Sequence, residues 1–297
     1  MSYRELFVSP SLTFAGTQRT FEEAKYVVLG ASLDATSTYR SGARFAPHVI
    51  REASLNIETY SFRRKMDVDD LKIHDLGDLH IAGEVYETLN RLELVTKDIL
   101  NAKKMPVILG GEHTITLGAV RSVEEEVTVV SFDAHLDLRN EYMGTITSHT
   151  TFMRRINEQV KPHKILEIGT RAVCKEELDY AKKSKIEFLT VQQIRKDGIK
   201  ETVRKIRGIL DDCGKIYLTI DMDVLDPAFA PAVQNPEPDG LDVQMFLELL
   251  CKTCSPRMVA FDLVEIAPHY DAGTTAIQAA KTIFEVMCHI EESIELG

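Results

Sequence analysis

The chain has 297 residues, a formal net charge of −11 at pH 7 and a hydrophobic fraction of 44%. Its acidic balance argues against nucleic acid as a partner, because phosphate binding needs clustered Lys and Arg. No apolar run reaches the roughly 18 residues that a membrane span requires. The amino terminus lacks an apolar signal core, and the five cysteines favour reduced thiols over disulfides. We therefore expect a soluble cytoplasmic protein that binds neither nucleic acid nor membrane.

Eight short apolar segments rich in β-branched residues predict strands: Tyr26–Ala31, Leu71–Leu76, Pro106–Leu109, Val127–Phe132, Ile165–Ile168, Ile186–Leu189, Ile216–Ile220 and Met258–Val264. Helical patterns lie between most of them: Glu84–Lys104, Thr150–Val160, Cys174–Lys183, Lys200–Leu210, Val243–Cys251 and Ala272–Glu292. Apolar strands that alternate with amphipathic helices indicate a mostly parallel sheet covered on both faces. Since no linker or repeat interrupts the pattern, we expect one domain over residues 1–297.

Two of the predicted strands run directly into charged motifs. Asp133-Ala-His135-Leu-Asp137 follows Val127–Phe132, and Asp221-Met-Asp223 follows Ile216–Ile220. In extended chain, alternate residues point to the same side, roughly 6.5–7 Å apart. Unpaired buried charges of one sign are costly, and a pair of divalent cations is the simplest counter-charge. The two motifs therefore predict a two-metal enzyme.

Two further polar residues follow predicted strands. His113 comes after the strand ending at Leu109, and Glu265 comes after the strand ending at Val264. In open α/β sheets, ligands bind at the carboxyl ends of the strands. We expect these side chains to share one rim with the two acidic motifs.

The chain resembles the ureohydrolase (arginase/agmatinase) family, and most closely an agmatinase. The resemblance extends from about residue 30 to 270 and is carried by Tyr39-Arg-Ser-Gly-Ala-Arg44, Pro47, Arg51, Asp75-Leu-Gly-Asp78, Leu109-Gly-Gly-Glu-His113-Thr-Ile-Thr, Ser131-Phe-Asp-Ala-His-Leu-Asp137, Ser148-His149, Met153-Arg154-Arg155, Thr219-Ile-Asp-Met-Asp-Val-Leu-Asp-Pro-Ala228 and Val264-Glu265-Ile-Ala-Pro268. It implies an arginase/deacetylase-like three-layer αβα sandwich around a mostly parallel eight-stranded sheet. It also implies a homo-oligomer, trimeric or hexameric.

The resemblance implies a cofactor of two Mn²⁺ per chain. One ion would be held by His113, Asp133, Asp137 and Asp221, and the other by Asp133, His135, Asp221 and Asp223. The chemistry of the donors agrees, because carboxylates and imidazoles without thiolate favour Mn²⁺ over structural zinc. Taken alone, each motif has an ordinary structural explanation, such as a solvated turn for Asp221 and Asp223.

The resemblance further implies hydrolysis of a guanidino compound by attack of a metal hydroxide on the guanidinium carbon. Catalytic roles would belong to His149, as proton shuttle and substrate contact, and to Asp137. Glu265 would bind the guanidinium, although a strand-end Glu paired with a local Arg is the alternative. Ser148 is interpreted as a helix N-cap that places His149 at a helix start, where the helix dipole keeps the ring neutral. Asp226 is interpreted as a turn residue and Asp262 as a structural ion-pair partner.

The expected substrate is agmatine, cleaved to putrescine and urea in polyamine biosynthesis. Between Asp137 and His149 the chain lacks the Ser-Gly-Asn-x-His-Gly loop of arginases, and its Glu141-Tyr-Met-Gly144 element is similar to agmatinases. It departs from agmatinases at Ala232-Val-Gln-Asn235, where Gly-Thr-Gly-Thr is usual.

Several alternatives stay open. They are a ureohydrolase acting on guanidinobutyrate, with Arg139 as a candidate cation for its carboxylate, or on arginine; a metallophosphoesterase, disfavoured because its Gly-Asn-His-Glu/Asp segment is missing; and a non-catalytic metal-binding relative. Cys251 and Cys254 form a CxxC pair that we interpret as free structural thiols.

Overall fold

The computed structural model describes residues 2–16, 18–124 and 126–295. Within them the strands are β1 Val8–Ser9, β2 Tyr26–Ala31, β3 Tyr60–Ser61, β4 Met66–Asp67, β5 Ile73–Leu79, β6 Met105–Gly110, β7 Val127–Phe132, β8 Lys164–Thr170, β9 Glu187–Thr190, β10 Lys215–Asp221 and β11 Met258–Val264. The helices are α1 Tyr3–Phe7, α2 Ala46–Ser54, α3 Val85–Asn101, α4 Ile115–Arg121, α5 Phe152–Gln159, α6 Lys175–Ser184, α7 Val191–Leu210, α8 Val243–Thr253 and α9 Thr274–Glu295.

Nine of the described strands form one sheet in the order β1-β5-β2-β6-β11-β10-β7-β8-β9, and β3 pairs with β4 in a separate hairpin. All neighbours in the large sheet are parallel except β1 and β5. Helices α2, α7, α8 and α9 contribute to the core on one face, and α3, α4, α5 and α6 to the core on the other. Successive strand residues alternate between the two cores, as Val27 and Val28 do. The three-layer αβα prediction is confirmed.

The eight predicted strands are all present, and the sheet gains a ninth. Strand β1 pairs antiparallel with the edge of the sheet, with Val8 opposite Leu79. Its two residues are too few to show the alternation by which a strand is predicted. The prediction of eight strands therefore falls one short.

Four helices depart from the sequence prediction. Helix α7 begins at Val191 rather than Lys200, because Thr190 caps it reciprocally with Gln193, and Gly198 interrupts it at φ 74°. Helices α1, α2 and α4 were not predicted. In α4, Ile115 to Val120 are all buried and show no amphipathic period.

Strands β6, β11, β10 and β7 are consecutive neighbours in the sheet. Their carboxyl ends therefore meet at one edge, where the chain carries His113, Glu265, Asp221 and Asp133. The predicted convergence of the four polar segments is confirmed.

Arg51 of α2 is fully buried and ties this helix to the end of β5. Its Nε and Nη2 donate to Asp75 at 2.8 and 2.9 Å, and its Nη1 donates to Asp78 at 2.6 Å. The pairing explains why Arg51 and Asp75-Leu-Gly-Asp78 occur together in the sequence.

None of the helices in the described ranges combines the length and apolarity of a membrane span. The assignment of residues 1–297 to one domain stays a prediction.

Candidate metal centre and substrate cavity

His113 lies beyond the end of β6, with its ring stacked on Phe152 at 4.0 Å between centroids. Its Nδ1 lies 3.1 Å from Asp133 Oδ2, 3.1 Å from Asp221 Oδ2 and 3.7 Å from Asp137 Oδ2. That nitrogen is buried and makes no hydrogen bond of acceptable geometry to the described residues. A buried ring nitrogen that faces three carboxylates is the arrangement expected around a cation.

A second imidazole stands on the other side of Asp133. His135 Nδ1 lies 2.9 Å from Asp223 Oδ2 and 3.5 Å from Asp133 Oδ1. Asp133 therefore turns one oxygen toward each imidazole. His113, Asp133 and Asp221 form one compact ligand group, and Asp133, His135 and Asp223 form another. Two groups that share a carboxylate fit two adjacent divalent ions.

The backbone orients these carboxylates. Asp133 Oδ1 accepts from the His135 amide at 2.6 Å, and Asp221 Oδ1 accepts from the Asp223 amide at 2.8 Å. Asp223 Oδ1 accepts from the Ala134 amide at 3.0 Å, which joins the ends of β7 and β10. Asp137 adopts a left-handed φ of 50°, a conformation that is uncommon outside glycine and often occurs at functional sites.

The pKa values of the cluster show how much positive charge it requires. Burial lowers the pKa of His113, but the negative charge of the close Asp133 carboxylate, together with that of Asp137, outweighs burial and raises the pKa to about 9. Burial and neighbouring carboxylates raise the pKa of Asp221 and of Asp137 well above the usual range. Protons on imidazoles and carboxylic acids thus balance the charge in the metal-free protein. Divalent ions with oxygen-rich donors are the counter-charge that this residue set fits.

The far side of the His113 ring is held by a hydrogen-bond chain. His113 Nε2 lies 2.8 Å from Thr219 Oγ1, and Thr219 Oγ1 donates to Asp262 Oδ1 at 2.5 Å. Thr219 therefore accepts the Nε2 proton, so that in the neutral ring the lone pair is on Nδ1, toward the carboxylates. Asp262 also accepts from Tyr217 and Thr116. The interpretation of Asp262 as an ion-pair partner is wrong, because its buried carboxylate instead accepts hydrogen bonds from three hydroxyl groups.

Glu265 follows β11 with a left-handed φ of 71°. Its Oε1 accepts from the His113 amide at 2.6 Å, and burial raises its pKa to about 8. In the described part of the chain, no Lys or Arg forms an ion pair with Glu265 that would support the alternative role. Its carboxylate borders the cavity beside the cluster.

His149 lies in the turn before α5, not at a helix start, because α5 begins at Phe152 and Ser148 caps no helix. The helix-dipole explanation is therefore wrong. Burial, together with the nearby His135 and His113, lowers the pKa of His149 to about 4, so the ring is neutral for this different reason.

The tautomer of His149 follows from two threonines. Thr36 Oγ1 donates to Glu112 at 2.8 Å, so it accepts from His149 Nδ1 at 3.3 Å. Thr38 Oγ1 accepts from Asn235 Nδ2 at 3.3 Å and lies 3.1 Å from His149 Nε2. Thr38 can then donate to Nε2, which carries the lone pair. Asn235, which stands where agmatinases usually have threonine, is thus connected to His149 through the hydroxyl of Thr38.

A cavity of about 440 Å³ opens above the cluster. Acidic groups dominate its wall, which is lined by Thr38, His135, Asp137, Arg139, Tyr142, His149, Thr150, Arg171, Ala172, Val173, Glu177, Asp221, Asp223, Asn235, Glu237 and Glu265. Arg171 donates to backbone carbonyls that include those of Asp223, Leu225 and Glu237, so its role is structural. Arg139 lines the wall and lies over the ring of Tyr142 at 4.9 Å.

Sequence reasoning missed three residues of this region. Glu112 fastens the loop above the cluster by accepting from the Ala35 and Thr36 amides, each at 2.7 Å. Glu237 Oε1 lies 3.9 Å from His135 Nε2 at the cavity wall, and Thr38 contacts His149. Of these three residues, only Glu237 has a local signal in the sequence, which is its position between Pro236 and Pro238. Asp226 accepts from the Ala228 and Gly240 amides, as expected of a turn residue.

Comparisons with known proteins identify the family to which the chain belongs. Residues 24–289 match the profile of the arginase family. The agmatinase of Pyrococcus horikoshii is 34% identical over 269 residues, which cover 90% of this chain and 92% of the relative. The N(1)-aminopropylagmatine ureohydrolase of Thermococcus kodakarensis is 35% identical over 267 residues, with coverage of 89% and 90%. The crystal structure of the agmatine ureohydrolase of Thermoplasma volcanium superposes with a TM-score of 0.88 at 35% identity, covering 99% of this chain and 98% of that one.

A mostly parallel αβα sandwich that carries a carboxylate–imidazole cluster at its strand ends is typical of a class of metal-dependent hydrolases. The chain belongs to the arginase family. Within that family it is a ureohydrolase, an enzyme of guanidino substrates, and most similar to the agmatinases.

Proposed function

We propose that the protein hydrolyses agmatine to putrescine and urea with two Mn²⁺ bound per chain. The observation that carries the proposal is Asp133, whose two oxygens face two different imidazoles on the floor of a cavity that also contains Glu265. The names of the agmatinase relatives support the choice of substrate.

In this proposal His113, Asp133, Asp137 and Asp221 hold one ion, and Asp133, His135, Asp221 and Asp223 hold the other. When bound, such a pair of cations lowers the pKa of a shared water and supplies a nucleophile at neutral pH. Asp137 takes part in catalysis as a ligand of the first ion. Its Oδ2 lies 3.7 Å from His113 Nδ1, on the same side of the cluster. The oxygen-rich donor set favours Mn²⁺ among divalent ions.

Glu265 orients the guanidinium. Its Oε1 accepts a hydrogen bond from the His113 amide, while its second oxygen has no such bond to the residues that the structure describes. A carboxylate accepts parallel hydrogen bonds from a planar guanidinium, which fixes the carbon over the cluster. A bound guanidinium also stabilises the charged form of Glu265 and so lowers its raised pKa.

His149 moves the proton that the leaving amine requires. Water adds to the guanidinium carbon, the bond from that carbon to the chain nitrogen breaks, and the chain nitrogen takes a proton, leaving urea and an amine. His149 is neutral and partly within the cavity wall, so its Nε2 lone pair can accept and return that proton.

The distal amine of agmatine meets an acidic wall. Glu177 is occupied, because it accepts from the Leu138 and Cys174 amides. Glu237 is more available, with 42% of its side chain exposed. We infer that Glu237 attracts the cationic end of the substrate. The same acidic cavity wall would also suit N(1)-aminopropylagmatine, the longer amine in the name of the Thermococcus relative.

A second candidate is hydrolysis of a guanidino acid such as guanidinobutyrate, or of arginine. Arg139 favours it, because its guanidinium reaches the cavity wall and could pair with a distal carboxylate. A third candidate is a metal-binding relative without turnover, given the altered Gln234-Asn235 loop. Homo-oligomerisation, cytoplasmic location and a role in polyamine biosynthesis stay predictions.

The deciding experiment measures urea released by manganese-loaded protein from agmatine, N1-aminopropylagmatine, guanidinobutyrate and arginine. We expect the highest kcat/KM with agmatine, and a rise in KM for agmatine in Glu237→Gln but not in the matched Arg139→Gln. A higher kcat/KM with N1-aminopropylagmatine would replace agmatine with the longer amine. A preference for guanidinobutyrate or arginine that is lost in Arg139→Gln would replace this substrate with an acid. Absence of urea from every substrate in metal-replete protein would support the binding relative.

A further inference from the structure

A second group of side chains of the types that can bind metal lies between α8 and α9, remote from the cavity. Helix α8 leads into the start of β11, so its last turn stands at the amino-terminal edge of the sheet. The cavity occupies the opposite, carboxyl-terminal edge. The group comprises Cys251 of α8 with Glu285 and His289 of α9. No step of the proposed reaction uses these residues.

The geometry of the group is compact. The Cys251 sulfur, one Glu285 carboxylate oxygen and one His289 ring nitrogen all lie within 4.8 Å of one another. The three residues are only 5%, 1% and 3% exposed, respectively. Burying three polar side chains at one place is costly unless they have partners.

The carboxylate is already oriented by its neighbours. Ser61 of the β3–β4 hairpin donates to Glu285 Oε2 at 2.9 Å, while Lys281 and Arg63 lie 3.7 and 3.8 Å from Oε1. Oε2 also faces His289, whose Nδ1 is 3.9 Å away. The two cations thus approach one oxygen, and the other oxygen points into the group.

The imidazole is neutral. His289 Nδ1 lies 2.7 Å from the Glu285 carbonyl oxygen and donates to it, which leaves the lone pair on Nε2. Burial, opposed by that hydrogen bond and assisted by nearby arginines, lowers the pKa of His289 to about 4. A neutral imidazole with its other nitrogen bonded to a carbonyl is the usual form of a histidine ligand.

The sulfur of the group is available as a ligand. The Cys251 thiol forms no disulfide and is buried. Burial raises its pKa to about 12, and a bound cation would displace the thiol proton.

We propose that Cys251, Glu285 and His289 bind one borderline divalent cation of the Zn²⁺ type. Sulfur, imidazole and a single carboxylate suit tetrahedral zinc, in contrast to the oxygen-rich cluster at the other edge. The ion would join α8 to α9 and, through Ser61, to the β3–β4 hairpin. Because no step of catalysis involves it, the site is structural.

Cobalt provides a test specific to this site. Co²⁺ bound by a thiolate shows a sulfur-to-metal charge-transfer absorption, and the residues of the candidate binuclear centre include no sulfur. We expect manganese-loaded protein to gain this absorption with about one Co²⁺ per chain, and Zn²⁺ to abolish it. The absorption should vanish in Cys251→Ser and in His289→Gln. It should persist in the matched Cys213→Ser, which removes the thiol of a separate His163–Asp212–Cys213 group.

Two variants separate this proposal from the proposed function. Asp133→Asn should keep the thiolate absorption after it loses the binuclear ions, and His289→Gln should keep urea release after it loses the absorption. If Cys251→Ser does not fold, His289→Gln supports or refutes the site alone, with circular dichroism as the folding control. Absence of the absorption in the wild-type protein, its survival in folded Cys251→Ser or His289→Gln, or its loss in Cys213→Ser would overturn the proposal.

Discussion

Thr219 separates His113 from Asp262, accepting at Oγ1 from His113 Nε2 at 2.8 Å and donating to Asp262 at 2.5 Å. The threonine lies on β10 and the aspartate on β11, in register with each other. Two neighbouring strands thereby fix the proton of an imidazole that belongs to a third segment. Once Nδ1 of His113 gives up its proton, the lone pair on that atom is therefore directed at the carboxylate cluster.

Removing this hydroxyl should weaken metal binding without unfolding the protein. We expect Thr219→Val to lower Mn²⁺ affinity by about 10–100-fold, because partners of this kind orient the ligand and set its tautomer. Metal titration of the apoprotein measures the effect. Thr128→Val is the matched control, since Thr128 is also buried in a strand but its hydroxyl has no hydrogen-bond partner. Equal affinities in the two variants would contradict the role of Thr219.

Asp133 should be the most sensitive position of the cluster. Asp133→Asn removes a charge that faces both imidazoles, so we expect metal and urea release to be lost together. Elemental analysis after gel filtration, combined with the urea assay, tests this. The exposed Asp212→Asn should change neither. Retention of both ions in Asp133→Asn would disprove the bridging position.

His149 should matter for turnover alone. We expect His149→Ala to reduce kcat by about 10²–10⁴-fold, the range for loss of a positioned general base, with metal content unchanged. Its ring contacts Thr36 and Thr38 rather than any carboxylate of the cluster. Urea assays at saturating substrate, with parallel metal analysis, distinguish the two effects. Unaltered kcat would remove His149 from the reaction.

The metal-free protein should lose stability as pH rises from about 6.5 to 9. The pKa of His113 is raised to about 9 and that of Glu265 to about 8, so the folded state binds more protons than the unfolded chain in this range. The stability from His113 is complete below the unfolded pKa of about 6.5 and disappears as pH passes through 9. Urea unfolding in EDTA should show this fall, and Mn²⁺ should abolish it. Parallel curves with and without Mn²⁺ would contradict the assignment of these groups to a metal centre.

The buried pair of Arg51 and Asp75 should contribute strongly to stability. Asp75→Asn leaves the Arg51 charge without its bidentate partner, and breaking a buried pair costs about 3–5 kcal/mol. The free energy of unfolding in urea measures the loss. Glu201→Gln removes an exposed partner of Arg204 and should leave that free energy unchanged within error. Equal changes in the free energy of unfolding for the two variants would show that the buried Arg51–Asp75 pair stabilises the fold no more than an exposed ion pair.

Local chemistry determined much of this protein from its sequence. Strands such as Val127–Phe132 were predictable because burial on both faces requires a continuous apolar run. The acidic motifs were recognisable because alternate spacing places Asp133 and His135, or Asp221 and Asp223, on one side of the chain. These signals depend on neighbours in sequence, so they need no knowledge of packing.

Tertiary structure decided what depends on distant partners. The strand order brings β6, β11, β10 and β7 together, and only then do Thr219 and Asp262 lie behind His113. His149 owes its neutral ring to burial rather than to a helix start, and Cys251 meets His289 because α8 packs on α9. Hydrogen bonds and pKa values are set by atoms a few ångströms away in space, and those atoms are often more than a hundred residues away along the chain.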